Sequence, residues 1–264
     1  MEDIKEIKNM KNNNKSLIKV FVVGDKFKCF AKNKNIIGIS QLEKMVSNGN
    51  ITLNNHYQIY IGQGVCEMQI KKIHQRINKM KLNKRFEIIF PDFYQKSSKC
   101  LTHKQKNENI MISDPLKLSD GEFKCHLMLN DNCAEMSDHV TGHHIQGMVV
   151  IEAARQMVLA ISEKYLIDGK SGKPNFLTNS VNADFKRFIF PLQVEAIAKI
   201  VEIKKSIGNN LICSMLITFI QNEEECVSLI CKSSILDSNY VEEKESNLAA
   251  QCINTYLSSS QRLN

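Results

Sequence analysis

Residues 147–166 read GMVVIEAARQMVLAISEKYL, and this stretch decides the fold class. Its first fifteen residues carry two charged side chains, Glu152 and Arg155, and its apolar residues are spread nearly all round a helix. A helix with that distribution must be buried inside a domain. The stretch therefore predicts one long central helix surrounded by other elements.

Strand candidates flank this helix on both sides. Two short ones precede it and four longer ones follow, at residues 108–113, 122–130, 176–190, 192–205, 210–221 and 226–237. In the fourth candidate, apolar residues alternate with others from Leu192 to Ile200, the period of a strand with one buried face. Six strands that curl around one buried helix as a single antiparallel sheet form a hotdog fold. The order of elements therefore predicts an α+β hotdog domain at residues 108–237.

The rest of the chain divides around that domain. The other segments are a polar tail, a small α/β domain, a polar linker and a C-terminal tail that allows one helix, at residues 1–16, 17–92, 93–107 and 238–264. In the α/β domain the expected order is ββαβαβ. Its second strand is predicted at residues 26–32, KFKCFAK, after a turn at Gly24.

Glu152 and Arg155 are the first candidates for chemistry. Three residues apart on a helix, they share a face. Two interpretations stand side by side: an acid/base glutamate whose charge is held by the arginine, or a structural ion pair. At the helix start, Gly147 permits close approach, and the first backbone N–H groups are unpaired. Such N–H groups can polarise a carbonyl oxygen.

Polar side chains precede the helix in the loop SDHVTGHHIQG. His139 and His143 have a spacing that could bring two imidazoles to a zinc ion. The helical zinc-protease motif, however, requires a glutamate where Val140 stands. We therefore predict no metal site, and no cofactor.

The string MSDHVTGHHIQGMVVIEAARQM, residues 136–157, closely resembles the second motif of the A-factor biosynthesis (AfsA-type) hotdog family. Residues 102–123 are similar to that family's first strands, and FKRFIFPLQVEAIAKI, residues 185–200, to its strand after the helix. The resemblance implies a domain related to fatty-acid dehydratases and thioesterases. Characterised members join a β-ketoacyl chain from a carrier-protein thioester to dihydroxyacetone phosphate, which starts γ-butyrolactone signal synthesis.

The resemblance also implies site residues. The family's functional pair falls on Glu152 and Arg155, and the loop histidine of related dehydratases on His139, with His144 as its rival. The residues that flank the helix start are predicted to contact substrate: Asp138, Gly147 and Met148. The family's signal synthases carry two hotdog repeats, whereas E-A-A-R-Q occurs once here. We therefore predict a homodimer.

Composition bounds the partners. Residues 1–106 carry 21 Lys and Arg against 8 Asp and Glu, whereas residues 107–264 carry 14 against 20. The basic half suggests an acidic partner such as an acyl carrier protein, or else a merely solvated surface. No nucleic-acid motif, membrane span or signal peptide is recognisable. Nine cysteines without a C-x-x-C pair are typical of reduced thiols, so we expect a cytoplasmic protein.

Three functions follow as hypotheses. The first is transfer of a β-ketoacyl group from a carrier protein or coenzyme A to a small hydroxylated acceptor. The second is dehydration of a β-hydroxyacyl thioester by His139 and Glu152. The third is a non-catalytic acyl-binding or regulatory module in which Glu152 and Arg155 only stabilise the fold.

Overall fold

A six-stranded antiparallel sheet forms the C-terminal part of the protein. The computed structural model describes residues 16–48, 55–90, 95–137, 140–167, 174–205 and 210–260. With the strands numbered along the whole chain, this sheet has the order β5-β6-β8-β9-β10-β7. Its strands are β5 Leu116–Ser119, β6 Glu122–His126, β7 Pro174–Phe185, β8 Glu195–Lys205, β9 Leu211–Gln221 and β10 Glu224–Asp237.

The sheet wraps around α4, Gly147–Ile161, which continues as a π-helical turn, Ser162–Leu166. Ten of the fifteen α4 residues are buried, and small side chains such as Ala153 and Ala154 let the helix lie close to the strands. On β9 the buried residues include Cys213, Met215, Ile217 and Phe219, at every second position as a half-buried strand requires. The hotdog prediction is confirmed.

The first hotdog strand lies later than predicted. Residues 107–109 form a 3₁₀ turn, and β5 forms instead at residues 116–119. Met111 and Ile112 are fully buried, so their apolar character reflects core packing rather than a place in the main ladder. Ile112 makes only an isolated bridge, to Leu127. The expectation of a strand at 108–113 is therefore wrong.

A four-stranded parallel sheet forms the N-terminal part, in the order β2-β1-β3-β4. Its elements are β1 Ser16–Val23, β2 Ile36–Gly38, α1 Ile39–Asn48, β3 Asn55–Ile61, α2 Glu67–Lys79 and β4 Phe86–Ile89. The two helices pack on one face through apolar side chains that recur every three or four residues, Ile39, Leu42, Val46, Ile70, Ile73 and Ile77. This is the small α/β unit that the sequence predicts.

The predicted second strand, residues 26–32, is wrong. These residues lie in two 3₁₀ turns, Asp25–Phe27 and Phe30–Lys32. Phe27 and Phe30 are three residues apart, so a tight helical turn brings both rings to one side. Both rings join the hotdog core, together with Val23. Tertiary burial therefore determines the local structure here.

Gln63, two residues after β3, joins the α/β unit to the segments that flank β6 and β8. Its Nε2 donates to the Leu127 and Leu192 carbonyls at 2.8 and 3.1 Å. Its Oε1 accepts from the Leu129 backbone N–H at 2.7 Å. The side chain is 7% exposed, so these bonds are shielded from water. The α/β unit is therefore fastened to the start of the hotdog sheet.

Two further helices complete the chain. α3, Lys99–Thr102, lies in the segment for which the sequence predicts a linker, and it packs against α4. α5, Ser238–Ser260, occupies the predicted C-terminal tail and touches β7 and β10. Among the described residues, no helix has the length and apolarity needed to cross a bilayer.

Candidate functional site

The first turn of α4 opens onto a cavity. Gln146 is the N-cap residue, and its side chain makes no capping hydrogen bond. The N–H groups of the first turn are therefore not satisfied by a cap, and the positive end of the helix dipole points the same way. The cavity has a volume of about 400 Å³, and its lining includes His144, Gly147, Val150, Phe185 and Phe188. The Gln146 amide nitrogen is buried without a partner in the described part of the chain.

The ring of Phe185 lies close to the backbone of Gly147. A Cβ atom on residue 147 would lie 3.0 Å from Phe185 Cζ and 3.1 Å from Cε1. Phe185 ends β7, and Phe188 follows it at the cavity mouth, where it is 66% exposed. Lys186 and Arg187 form the rim between them and are held by Glu225 and Glu224 at 2.7 and 3.1 Å.

The loop before α4 presents His144 to this cavity. The Thr141 hydroxyl accepts the backbone N–H groups of His143 and His144 at 3.3 and 3.2 Å, which tightens the loop. The His144 ring packs on Phe188 with 4.6 Å between centroids. His143 is exposed. Asp138 and His139, two of the predicted site residues, lie outside the described residues.

Glu152 is held by three donors on another side of α4. Arg155 Nε and Nη2 reach its two oxygens at 2.8 and 2.9 Å, Lys104 Nζ lies 2.7 Å from Oε1, and Gln156 Nε2 donates at 3.0 Å. Burial alone would raise the pKa of Glu152, but these hydrogen bonds outweigh it and hold the pKa at about 2. Reciprocally, the hydrogen bond to Glu152 raises the pKa of Arg155. The carboxylate is a permanent anion at neutral pH.

Gln156 and Lys104 are participants that sequence reasoning missed. Gln156 is fully buried; its Oε1 accepts from the Met111 backbone N–H and its Nε2 donates to the Asn109 carbonyl. It belongs to the E-A-A-R-Q string, so its position in the motif was a usable signal. Lys104 comes from the predicted linker, and nothing local marks it.

The predicted residues form two groups. His144 and Gly147 line the cavity, whereas Glu152 and Arg155 do not. Val150 lines it too, and Glu152 follows Val150 by two residues, which on a helix of 3.6 residues per turn points it roughly the opposite way. Met148 is 66% exposed and is not part of the lining. Among the described residues, no three His, Cys, Asp or Glu side chains are grouped to hold a metal ion.

The wrapped central helix and the cavity at its N-terminus define a hotdog protein. Residues 90–237 match the family model of the A-factor biosynthesis hotdog domain, more than half of the chain. The protein therefore belongs to the A-factor biosynthesis hotdog family.

Several solved structures are similar to part of this chain at low sequence identity. Thioesterase PA1618 from Pseudomonas aeruginosa is 11% identical with a TM-score of 0.38, and the alignment covers 47% of this chain and 81% of that one. Thioesterase HI1161 from Haemophilus influenzae is 14% identical with a TM-score of 0.35, covering 48% and 78%. The conserved protein PA5202 from Pseudomonas aeruginosa is 16% identical with a TM-score of 0.34, covering 47% and 87%. No curated protein matches the chain.

Proposed function

We propose that the protein processes acyl thioesters, and that it transfers a β-ketoacyl group from an acyl carrier protein or coenzyme A to a small hydroxylated acceptor. The observation that carries the proposal is the uncapped N-terminus of α4, which opens at Gly147 onto an aromatic cavity. An acyl chain has the apolar surface that such a cavity accepts. Membership of the A-factor biosynthesis family supports the same substrate class.

In the proposed reaction, the thioester carbonyl oxygen faces the N–H groups of the first turn of α4. As the acceptor hydroxyl attacks the carbonyl carbon, negative charge develops on that oxygen, and each well-placed donor can contribute about 3 kcal/mol. His144 takes the hydroxyl proton and passes it to the departing thiolate, so that an ester and a thiol are the products. Phe185 and Phe188 shield the reacting atoms from water.

Glu152 and Arg155 are assigned a supporting role. A carboxylate with a pKa of about 2 does not donate a proton at neutral pH, and Arg155, Lys104 and Gln156 already donate to it. This disfavours the dehydratase hypothesis in the form in which Glu152 donates a proton. The same saturation favours one alternative, a non-catalytic acyl-binding module in which the pair stabilises the fold.

Homodimer formation is proposed from the open edge of the sheet. β7 is a twelve-residue edge strand, and within the described residues its one ladder partner is β10. Long unprotected edges are rare because they template pairing. Pairing of β7 with β7 of a second copy would satisfy this edge and cover Phe185 and Leu177, which are 50% and 39% exposed. Light scattering tests it: a monomer at micromolar concentration rejects the proposal.

Carrier-protein docking is proposed on the exposed face of α2, where Lys72, Arg76 and Lys79 are solvent-accessible. Reversing these three charges should weaken carrier binding roughly tenfold or more, and raising the salt concentration should weaken the wild-type complex. Reversing Lys232, an exposed lysine on β10, is the control. If carrier binding depends neither on the salt concentration nor on the α2 charges, the proposed docking surface is wrong.

Intact-protein mass spectrometry tests the reaction. The protein is mixed with β-ketoacyl- and β-hydroxyacyl-carrier proteins, with and without dihydroxyacetone phosphate. Acyl loss that requires the acceptor supports transfer, whereas loss of one water from the hydroxyacyl carrier supports the dehydratase. Carriers that bind but return unchanged support the acyl-binding module.

A further inference from the structure

A second cavity, of about 740 Å³, lies between the α/β unit and the hotdog domain. It shares no lining residue with the cavity at α4. Its walls come from the end of β3, the start of α2, residues 95–97, residues 107–110 and the segment that follows β6. The function proposed above makes no use of it.

The topology of the parallel sheet explains why a cavity forms here. In the order β2-β1-β3-β4 the strand that follows β1 is added on one side of it and the later strands on the other side. Open α/β sheets bind ligands beside the carboxyl ends of the strands at such a point. Asp131 of the hotdog domain fills the space between Gly24 and Gly64, where a Cβ atom on either glycine would collide with its carboxylate. The open cavity lies next to this plug, at the carboxyl end of β3.

Lys96 brings a half-buried ammonium group to the wall of the cavity. Its Nζ donates to the Ile110 carbonyl at 2.5 Å and to the Asn107 carbonyl at 3.4 Å, which leaves one of its three N–H groups. No carboxylate lies within ion-pair distance in the described part of the chain. The acids that line the cavity are Glu67, which pairs with Lys71 at 3.8 Å, and Glu108. Burial lowers the pKa of Lys96 to about 8, with Cys133, Glu67, Glu108 and Cys66 opposing the shift.

The N-terminus of α2 and the Ser97 hydroxyl also belong to the wall of this cavity. α2, thirteen residues long, begins there, and its capping box of Cys66 and Gln69 does not engage the N–H groups of Glu67 and Met68. Ser97 lines the cavity and is 4% exposed, and its hydroxyl has no hydrogen-bond partner among the described residues. Buried polar groups are normally satisfied, so a ligand in this cavity could supply the hydrogen-bond partner that the Ser97 hydroxyl has nowhere in the described part of the chain.

We propose that this cavity binds a small molecule through an oxyanion group, a phosphate or a carboxylate, held by Lys96, the Ser97 hydroxyl and the first turn of α2. The anion supplies the counter-charge that Lys96 lacks, and its oxygens accept from the free N–H and O–H groups. The carboxamides of Gln95, Asn130 and Gln193 are available on the walls for the neutral part of the ligand.

Calorimetric titration with inorganic phosphate and with acetate, at constant ionic strength in chloride, tests the site. We expect saturable binding of at least one of the two, and the stronger one identifies the oxyanion class. Lys96→Met keeps the aliphatic stem and should weaken binding roughly tenfold or more, the loss of one charge-assisted hydrogen bond. Ser97→Ala should weaken it less, and Lys99→Met, at an exposed lysine outside the cavity, should leave it unchanged.

A second measurement uses the unaltered chain, so it does not depend on folding of the variants. Lysine acetylation by a water-soluble N-hydroxysuccinimide ester is followed peptide by peptide with mass spectrometry. Saturating anion should slow the modification of Lys96 several-fold relative to Lys99. Absence of saturable binding by both ions, or equal binding by Lys96→Met and wild type, overturns the proposal.

Discussion

Arg155 and Glu152 are joined by two parallel hydrogen bonds, from Nε to Oε2 at 2.8 Å and from Nη2 to Oε1 at 2.9 Å. This forked geometry fixes the plane as well as the separation of the two groups. Lys104 reaches the same carboxylate from the segment after α3. The three side chains form a clamp in which Lys104 ties the segment before the hotdog sheet to the central helix through Glu152. The cavity opens on another side of α4.

Replacement of Glu152 by glutamine tests the clamp. We expect Glu152→Gln to lower the free energy of unfolding by about 2 kcal/mol, because Arg155 and Lys104 lose the carboxylate they share. The loss is smaller than for a fully buried pair, since the Arg155 side chain is 37% exposed. Urea unfolding measures it, with Glu242→Gln on exposed α5 as the control. Equal stability of the two variants would contradict the clamp.

The same carboxylate predicts an acid limb of stability. Its folded-state pKa of about 2 lies below the ordinary value of 4.5. A lowered pKa means that the stabilisation is complete above pH 4.5 and is lost as the pH falls from there towards 2. Wild type should therefore lose more stability than Glu152→Gln on acidification through this range. Parallel pH profiles from urea titrations would show that Glu152 is not the group responsible.

His144 is expected to carry the proton in acyl transfer. We expect His144→Ala to lower turnover by about 10²- to 10⁴-fold, the usual contribution of a general base. The matched control is His143→Ala, because His143 is exposed and does not line the cavity. Near-ultraviolet circular dichroism checks that both variants keep their packing. Turnover that survives His144→Ala would remove His144 from the mechanism.

The effect on acyl transfer of a side chain at position 147 is expected to depend on the ring of Phe185. Gly147→Ala places a methyl group 3.0 Å from the ring of Phe185, which lines the cavity, so the ring has to move slightly. We expect acyl transfer to fall by roughly tenfold, since a small misplacement at a reacting centre is costly. Adding Phe185→Ala removes the obstructing ring and should recover part of the lost activity. If the double variant is no better than Gly147→Ala, the clash is not the cause.

Asp131 is expected to weaken the junction between the two units at neutral pH. Burial raises its pKa to about 6, although the Lys26 backbone N–H opposes the shift. A raised pKa in a carboxyl favours the protonated folded state, so stability declines as the pH rises from 3.8 towards 6 and is level above. We expect Asp131→Asn to be more stable than wild type by about 1–2 kcal/mol at pH 7 and to match it near pH 4. A constant difference across this range would contradict the assignment.

Sequence patterns predicted the elements whose burial follows a simple period. α4 is apolar all round, and apolar residues alternate from Leu192 to Ile200 into β8, so both were predictable. The structure of residues 26–32 was not predictable, because Phe27 and Phe30 pack into a core formed by a distant part of the chain. The site divides in the same way. Glu152 and Arg155 were paired by helical spacing, whereas the approach of Lys104 depends on tertiary docking.

The family match begins at residue 90, yet the hotdog core also includes residues that precede this boundary. Val23, Phe27 and Phe30 fill part of it, and the Gln63 amide satisfies backbone groups at its edge. A chain cut at the boundary of similarity would leave an unfilled space and unpaired carbonyls, each destabilising by kilocalories per mole. The hotdog unit is therefore not an independent module. To fold within another protein it would need β1 and the two 3₁₀ turns that follow it.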